Sequence, residues 1–351
     1  MPPPMEPTLA AYPNPFLRYF AATRPPFLSV TFAACLVGLA TAALDGAMLR
    51  PLAAFFTVFF ALVAHAGINV LNDYYDALNG SDAANTERQF PFTGGSRFIQ
   101  NGVLGLKAAG LFGYALMASV IPAGLWLAWT SASGLIAIGL AGLFVGWAYS
   151  APPLKLMSRG WGELAVACGW LIVVVGADYV QRGAFSPLPF VAGLPYALHV
   201  ANVLFINQFP DYRADAAAGK RNWVVRLGPQ QARWGYPFVV GVAYGWLIGA
   251  VALGALPWTA LIALAALAPA LAATKQLLAH AAQPAELAPA IRATIGAAML
   301  HGILLAVGLA AARKVNGESG LRHEIAHAEL AAREDIARFP PLGAVAELSP
   351  I

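Results

Sequence analysis

The chain has 351 residues, of which 59% are hydrophobic and only 11% charged, and its mean hydropathy is +0.64. Soluble globular domains carry roughly 25% charged residues, so this composition excludes a soluble protein and indicates several membrane spans. The net charge of +4 comes from dispersed basic residues, which argues against nucleic-acid binding, and two cysteines are too few for a disulfide framework.

A membrane-spanning helix needs about 20 apolar residues, and on this measure the sequence predicts an all-α bundle of nine. The bundle follows an N-terminal segment, residues 1–26, and forms one transmembrane domain over residues 27–312. The predicted spans are 27–49, 51–71, 103–128, 132–149, 161–180, 188–208, 236–255, 257–273 and 295–312.

The tail after the last span, residues 313–351, carries apolar residues at three- to four-residue spacing, which predicts an amphipathic helix. The apolar stripe consists of Leu321, Ile325, Ala328, Ala332, Ile336 and Phe339. Such a helix lies either at the membrane interface or on a partner protein.

Basic residues predict the orientation of the bundle. The N-terminal segment and the loops after the even-numbered spans hold fourteen Lys and Arg residues, whereas the short loops on the other side hold only Arg50 and Arg182. Cytoplasmic loops carry the excess of basic residues. We therefore expect an integral protein of the cell inner membrane, with its N-terminus and its longer loops in the cytoplasm.

Acidic residues are rare within the bundle, yet five of them fall in two short windows. The first window, "NDYYDALNGSD", contains Asp73, Asp76 and Asp82, and the second, "DYRAD", contains Asp211 and Asp215. Each window lies near the predicted cytoplasmic end of a span, the second and the sixth. We therefore expect a site that requires negative charge on this side of the bundle.

Helical spacing places each acidic set on one face, because residues three or four apart are neighbours on a helix. The first set at this spacing is Asn69, Asn72, Asp73 and Asp76. Asp211 and Asp215 are also four apart, and Asn207 precedes them on the same predicted helix. The turn residues "NGS" predict that Asp82 returns towards the first set.

Carboxylate and amide oxygens suit Mg²⁺, and divalent cations would offset the cost of these charges, about 2.5–3.5 kcal/mol for an ionised carboxylate near mid-bilayer. Mg²⁺ prefers one or two carboxylates together with water and substrate phosphates. The predicted ligands are Asp73, Asp76, Asp82, Asp211 and Asp215. The pattern therefore predicts a phosphorylated ligand, most simply a diphosphate, between the two windows.

Three further stretches offer groups for the remaining phosphate charge, since Lys binds phosphate as a point charge and Arg as a bidentate fork. They are "YSAPPLKLMSRG" with Tyr149, Lys155 and Arg159, "GGSRFIQNG" with Arg97, and "AAGKRNWVVRLG" with Lys220, Arg221 and Arg226. Lys155, which follows "APP" between the two windows, is the strongest candidate among them.

The two windows resemble the aspartate-rich motifs of the UbiA superfamily of intramembrane aromatic prenyltransferases. The resemblance runs from about Arg24 to Gly228, and the stretches quoted above make it strongest to the 1,4-dihydroxy-2-naphthoate prenyltransferases of menaquinone synthesis. The chain departs from the naphthoate pattern in "NQFPD", with Gln208 and Pro210, and at Ala216.

The resemblance implies transfer of a polyprenyl group from its diphosphate to an aromatic ring, at a site that opens to the cytoplasmic face, with two Mg²⁺ ions bridging aspartates and diphosphate. The implied catalytic residues are Asp73, Asp76, Asp211, Asp215 and Lys155. The implied substrate-binding residues are Asn69, Asn72, Arg97, Tyr149, Arg159, Asn207, Lys220 and Arg221. The partners are then the lipid bilayer, the donor and the acceptor, without nucleic acid.

Two alternatives remain open on the sequence. The acceptor is 4-hydroxybenzoate or homogentisate if the chain belongs to another branch of the superfamily. An ion-coupled secondary transporter would also place acidic residues in membrane helices, although transporters tend to hold them near the midplane on broken helices.

Overall fold

The computed structural model describes residues 5–318 and two short segments, residues 323–325 and 344–346. Within these residues the fold consists mainly of nine long helices, numbered α1 to α9 in chain order. Their bounds are Ser29–Leu44, Pro51–Asn79, Leu106–Thr130, Gly134–Ser150, Gly162–Arg182, Leu188–Ala217, Gly235–Ala252, Leu267–His280 and Ala288–Glu318.

Shorter elements connect the long helices. The short α-helices are Pro15–Ala22, Ser81–Ala84, Trp223–Leu227 and Pro229–Ala232, and the 3₁₀ segments are Pro25–Leu28, Leu156–Arg159, Trp258–Ala266 and Pro284–Glu286. The strands β1 (His323–Ile325) and β2 (Ala344–Ala346) pair in parallel.

The predicted tail helix does not extend through His323–Ile325, because pairing with β2 holds these residues in an extended conformation. The start of the tail, up to Glu318, continues α9. Apart from these residues and β2, the tail prediction falls outside the described residues.

All nine predicted spans correspond to helices, which confirms an all-α membrane protein. In the described part of the chain, eight helical segments are long and apolar enough to cross a membrane, and Gly134–Ser150 is a shorter apolar helix. One of the eight segments, Trp258–His280, combines a 3₁₀ segment with α8.

Helices α2 and α6 extend beyond their predicted ends and carry four of the five clustered aspartates. Helix α2 continues to Asn79 and ends where Gly80 takes a left-handed conformation with φ 80°, as glycine commonly does at a helix C-terminus. Helix α6 continues to Ala217 through Pro210, which removes one backbone donor without ending the helix. The aspartates are therefore presented by continuous helices, except for Asp82 on the short helix Ser81–Ala84.

The helices pack closely through small residues, as is typical of membrane bundles. Helix α1 packs on α5 and α9, α2 on α3, and α5 on α6. A Cβ atom added to Gly38 in α1 would overlap the carbonyl oxygen of Val174 and lie 2.8 Å from the Cβ atom of Ala177. The contact between α1 and α5 therefore requires glycine at this position.

A polar network joins helix ends at the side of the bundle opposite the aspartate windows. Arg182, at the end of α5, pairs with Asp178 at 2.8 Å and also contacts Asp45. These two carboxylates are thus partnered far from the clustered ones.

We expect Gly38→Ala to destabilise the protein by about 1–3 kcal/mol, the usual cost of overpacking a closely packed contact. Thermal unfolding of the purified protein in detergent measures this. Gly139→Ala is the matched control, because a Cβ atom at Gly139 would meet nothing within 4 Å. Equal melting temperatures for the two variants would contradict the close contact.

Candidate active site

The two aspartate windows meet at a single lysine. The Nζ atom of Lys220 lies 2.8 Å from Oδ1 of Asp76 and 3.1 Å from Oδ1 of Asp215. Because Asp76 belongs to α2 and Asp215 to α6, the ends of these two helices lie within reach of one ammonium group. The windows therefore form one site, although 134 residues, 77–210, lie between Asp76 and Asp211 in the sequence.

A glycine loop brings Asp73 and Asp82 together. The backbone N–H of Ser96 donates to Oδ2 of Asp73 at 3.1 Å. A Cβ atom on Gly95 would lie 3.0 Å from Cγ of Asp82 and 3.1 Å from Oδ1 of Asp73, and Gly95 has a φ of +73°. Only glycine therefore fits between the two carboxylates, and the turn at Gly80 returns Asp82 to the first window.

Three asparagines hold the carboxylates in place. Asn72 donates to Oδ2 of Asp76 at 3.3 Å, Asn85 donates to Oδ1 of Asp211, and Asn222 donates to Oδ2 of Asp215 at 2.8 Å. The Oδ1 atom of Asn222 also accepts from the N–H of Val225 and caps the helix Trp223–Leu227.

Sequence reasoning missed Asn85 and Asn222 as site residues. For Asn222 a signal was present, because it directly follows Lys220 and Arg221 within "AAGKRNWVVRLG". For Asn85 the sequence offered only its position three residues after Asp82.

Negative charge exceeds positive charge at the site. Arg97 and Arg88 ion-pair with Glu6, and the Nη1 atom of Arg97 donates to the backbone oxygen of Asp82 at 2.6 Å. Five aspartates therefore share Lys220 and, at longer range, Arg24.

The pKa values of the groups outside the spans follow from this imbalance. Burial, and then the neighbouring carboxylates of Asp76 and Asp73, raise the pKa of Asp82 well above its usual range. Burial by itself would lower the pKa of Lys220, but the carboxylates of Asp76 and Asp215 outweigh it and raise that pKa above its ordinary value. The site therefore favours bound positive charge.

A cavity of about 310 Å³ extends from the aspartates into the bundle. Its polar end is formed by both windows, Lys220 and Arg24, and its other end by apolar residues that include Ile68, Val173 and Leu204. The cavity thus joins a charged compartment to an apolar one.

Most of the predicted site residues line this cavity. Those that do are Asn69, Asn72, Asp76, Asp82, Tyr149, Asn207, Asp211, Asp215 and Lys220. Asp73 lies behind Gly95 and Arg97 behind Asp82, so that neither belongs to the lining.

The structure places the remaining basic residues elsewhere. Lys155, Arg159, Arg221 and Arg226 line a separate pocket of about 460 Å³. Lys155, Arg159 and Arg221 are exposed, and none of the four belongs to the lining of the aspartate cavity. Two consecutive residues of this loop therefore line different pockets: Lys220 lines the aspartate cavity, and Arg221 lines the separate pocket.

Arg24 is a cavity residue that sequence reasoning counted only among the orienting charges. It adopts a left-handed conformation with φ 59° before the 3₁₀ segment Pro25–Leu28. Its Nη2 atom donates to the carbonyl oxygen of Phe92 at 3.1 Å. The guanidinium is thereby held beside the aspartate end of the cavity.

The donor set fits Mg²⁺ that is completed by a substrate phosphate. The buried oxygens without a hydrogen-bond partner in the described part of the chain include Oδ1 of Asp73, Oδ1 of Asn85 and Oδ1 of Asn207. Among the described residues, no three His, Cys, Asp or Glu side chains are close enough to hold a metal by themselves. Carboxylate and amide oxygens are hard donors, and Mg²⁺ takes few carboxylates together with water and phosphate oxygens.

The chain matches a known family and known proteins over most of its length. The model of the UbiA prenyltransferase family matches residues 31–292. The 1,4-dihydroxy-2-naphthoate octaprenyltransferase of Bacillus subtilis is 26% identical over 82% of this chain and 90% of its own length. The 2-carboxy-1,4-naphthoquinone phytyltransferase of Synechocystis is 28% identical over 83% of this chain and 92% of its own length.

Solved structures share the fold. A UbiA homolog from Aeropyrum pernix K1 has a TM-score of 0.60 and 16% identity, and covers 79% of this chain and 97% of its own. A UbiA homolog from Archaeoglobus fulgidus bound to GPP and Mg²⁺ has a TM-score of 0.54 and 16% identity, over 82% of this chain and 99% of its own.

We expect Lys220→Met to destabilise the protein by about 3–5 kcal/mol, because loss of one partner leaves buried charges unpaired. Thermal unfolding in detergent without added Mg²⁺ measures the loss. The adjacent Arg221→Met is the matched control, since Arg221 is exposed and outside the cavity. If both variants unfold at the same temperature, Lys220 does not join the two windows.

Proposed function

Since the chain belongs to the UbiA prenyltransferase family and is an integral membrane prenyltransferase, we propose that it transfers a polyprenyl group from its diphosphate to 1,4-dihydroxy-2-naphthoate, in menaquinone synthesis. The observation that carries the proposal is the meeting of both aspartate windows at Lys220. It supports one diphosphate site beside an apolar compartment.

The charged end of the cavity binds the diphosphate in this proposal. Mg²⁺, held as two ions by Asp73, Asp76, Asp82, Asp211 and Asp215, would supply charge neutralisation to the leaving diphosphate. Lys220 and Arg24 are the basic residues that line the cavity in the described part of the chain. We therefore assign to these two the phosphate contacts that the sequence suggested for Lys155, Arg159 and Arg221.

The apolar end of the cavity accommodates the isoprenoid chain and excludes water from the reacting carbon. In the transfer, the allylic carbon–oxygen bond of the donor breaks, the ring carbon of the acceptor bonds to the allylic carbon, and the ring loses a proton. Tyr149 and Trp170 line the cavity, Tyr149 near its charged end and Trp170 beside His65. Aromatic faces attract cationic charge, so these two side chains stabilise positive charge on the allylic carbon.

The naphthoate acceptor is supported by the relatives. Both the Bacillus subtilis and the Synechocystis proteins are named for naphthalene-ring substrates, and each aligns over most of its length. The departures at Gln208 and Pro210 leave the helix intact, and Gln208 donates to Glu163 across to α5. A single-ring acceptor, 4-hydroxybenzoate or homogentisate, is the competing assignment.

The test of this function is prenyl transfer by the purified protein with Mg²⁺ and a radiolabelled polyprenyl diphosphate. We expect labelled product with 1,4-dihydroxy-2-naphthoate, at least tenfold less with 4-hydroxybenzoate or homogentisate, and none after chelation of Mg²⁺ by EDTA. Preference for a single-ring acceptor would overturn the naphthoate assignment, and absence of product with every aromatic would overturn the proposed function.

In the same assay, we expect Asp76→Asn and Asp211→Asn each to lower turnover at least a hundredfold without loss of folded protein. Asp45→Asn is the matched control, because Asp45 contacts Arg182 at the opposite end of the bundle. Near-normal turnover in either cavity variant would show that the substituted aspartate is not needed for prenyl transfer.

We further propose that the aspartate end faces the cytoplasm, on the strength of the basic residues of its loops. The test uses Cys35→Ser/Cys168→Ser protein in intact bacteria, with one new cysteine at Met48 or at Gln230. Both positions are exposed and lie at opposite ends of the bundle. A membrane-impermeant maleimide should label Met48→Cys and spare Gln230→Cys, and the reverse pattern would invert the topology.

A further inference from the structure

One ionisable residue lines the cavity away from its charged end. Among the described lining residues, the others surround the two aspartate windows: Arg24, Asp76, Asp82, Tyr149, Asp211, Asp215 and Lys220. His65 instead lies at the middle of α2, where its neighbours in the lining on the same helix are Ala61, Ala64, Ile68 and Asn69. A polar ring among mostly apolar neighbours requires a reason, because burying a polar group costs free energy.

Three helices hold the imidazole in place. Its Nδ1 atom lies 2.8 Å from Oγ1 of Thr31 in α1, and its ring stands edge-on to Trp170 of α5, with centroids 5.0 Å apart. His65 is only 7% exposed. With Nδ1 engaged by Thr31, Nε2 is the ring nitrogen that a ligand in the cavity can reach, beside Asn69, whose side chain also bonds to the ring and lines the cavity.

The distance to the charged end leaves room for an aromatic acceptor. His65 and Asp73 are eight residues apart on one continuous helix, which corresponds to about 12 Å along its axis at 1.5 Å per residue. Gly142 and Gly146 of α4 and Gly169 of α5 also line the cavity, and their lack of side chains widens it. A ring placed between the diphosphate and His65 would have its polar substituents within reach of the imidazole.

We propose that Nε2 of His65 binds a ring hydroxyl of the aromatic acceptor, an inference that rests on the proposed function. When Thr31 accepts the proton of Nδ1, Nε2 carries a lone pair and accepts a hydrogen bond from that hydroxyl. The hydroxyl proton stays on its oxygen, so no covalent step is added. The hydrogen bond orients the ring towards the allylic carbon and increases its electron density.

The prenyl chain is the other candidate neighbour of His65. Hydrocarbon offers no hydrogen bond to Nε2, whereas a ring hydroxyl of the acceptor offers one. If the acceptor contacts His65, the KM for the acceptor depends on this residue. If the prenyl chain contacts it, the KM for the donor does.

The test measures KM for each substrate with the purified full-length protein. We expect His65→Phe to raise the KM for 1,4-dihydroxy-2-naphthoate about tenfold, as expected for loss of one hydrogen bond, with the KM for the donor unchanged. His65→Gln keeps a polar group near the position of Nε2 and should restore the acceptor KM to within about threefold of the original protein. His301→Phe is the matched control, because His301 is buried in α9 and does not line the cavity.

A second arm needs no variant. With the original protein, the monomethyl ether of the naphthoate at the hydroxyl bound by His65 should show an acceptor KM raised about tenfold. This arm decides the matter even if His65→Phe does not fold.

An acceptor KM within twofold of the original in His65→Phe, or equal KM values for the naphthoate and both monomethyl ethers, would overturn this inference alone. A change in the donor KM instead would place the prenyl chain at His65. If the original protein prenylates no aromatic compound, the proposed function fails and this inference fails with it.

Discussion

The structure depends on compensation of the negative charge buried where α2 and α6 meet. Lys220 supplies the direct compensation, since its ammonium group bonds to Asp76 and Asp215 together. Without it, the two helix ends would repel each other in surroundings of low dielectric constant. Because Lys220 bonds to two of the five clustered aspartates, the site keeps excess negative charge, as the proposed binding of a metal–diphosphate substrate requires.

Rigid elements on both sides maintain this arrangement. The carboxylates of four aspartates project from two helices that continue well past the apolar spans, so their separation is set by helix packing. Gly95 then allows the loop after the first window to approach Asp73 and Asp82, and asparagines orient the second window. Close helix contacts through glycine, as at Gly38, fix the separation of other helices in the bundle as well.

The cavity is divided into a charged and an apolar part, as the proposed binding of a diphosphate and its isoprenoid chain at one site requires. Charged groups are kept at the helix ends, and the wall beyond them is apolar except for a few polar side chains such as His65. The exposed basic pocket around Lys155 and Arg221 is separate from this cavity. Several basic residues on that face therefore do not line the aspartate cavity.

The sequence by itself determined the nine helices, the two acidic windows and the face that Asn72, Asp73 and Asp76 share, because hydropathy and helical period are local properties of a chain. It also carried the family, through the spacing of the aspartates. Only the tertiary structure decided that Lys220 enters the cavity while Arg221 and Lys155 stay outside, and that Arg24 and Asn85 belong to the site. These choices depend on which distant segments meet, and neighbouring basic residues look alike until helix packing has set the direction of each side chain.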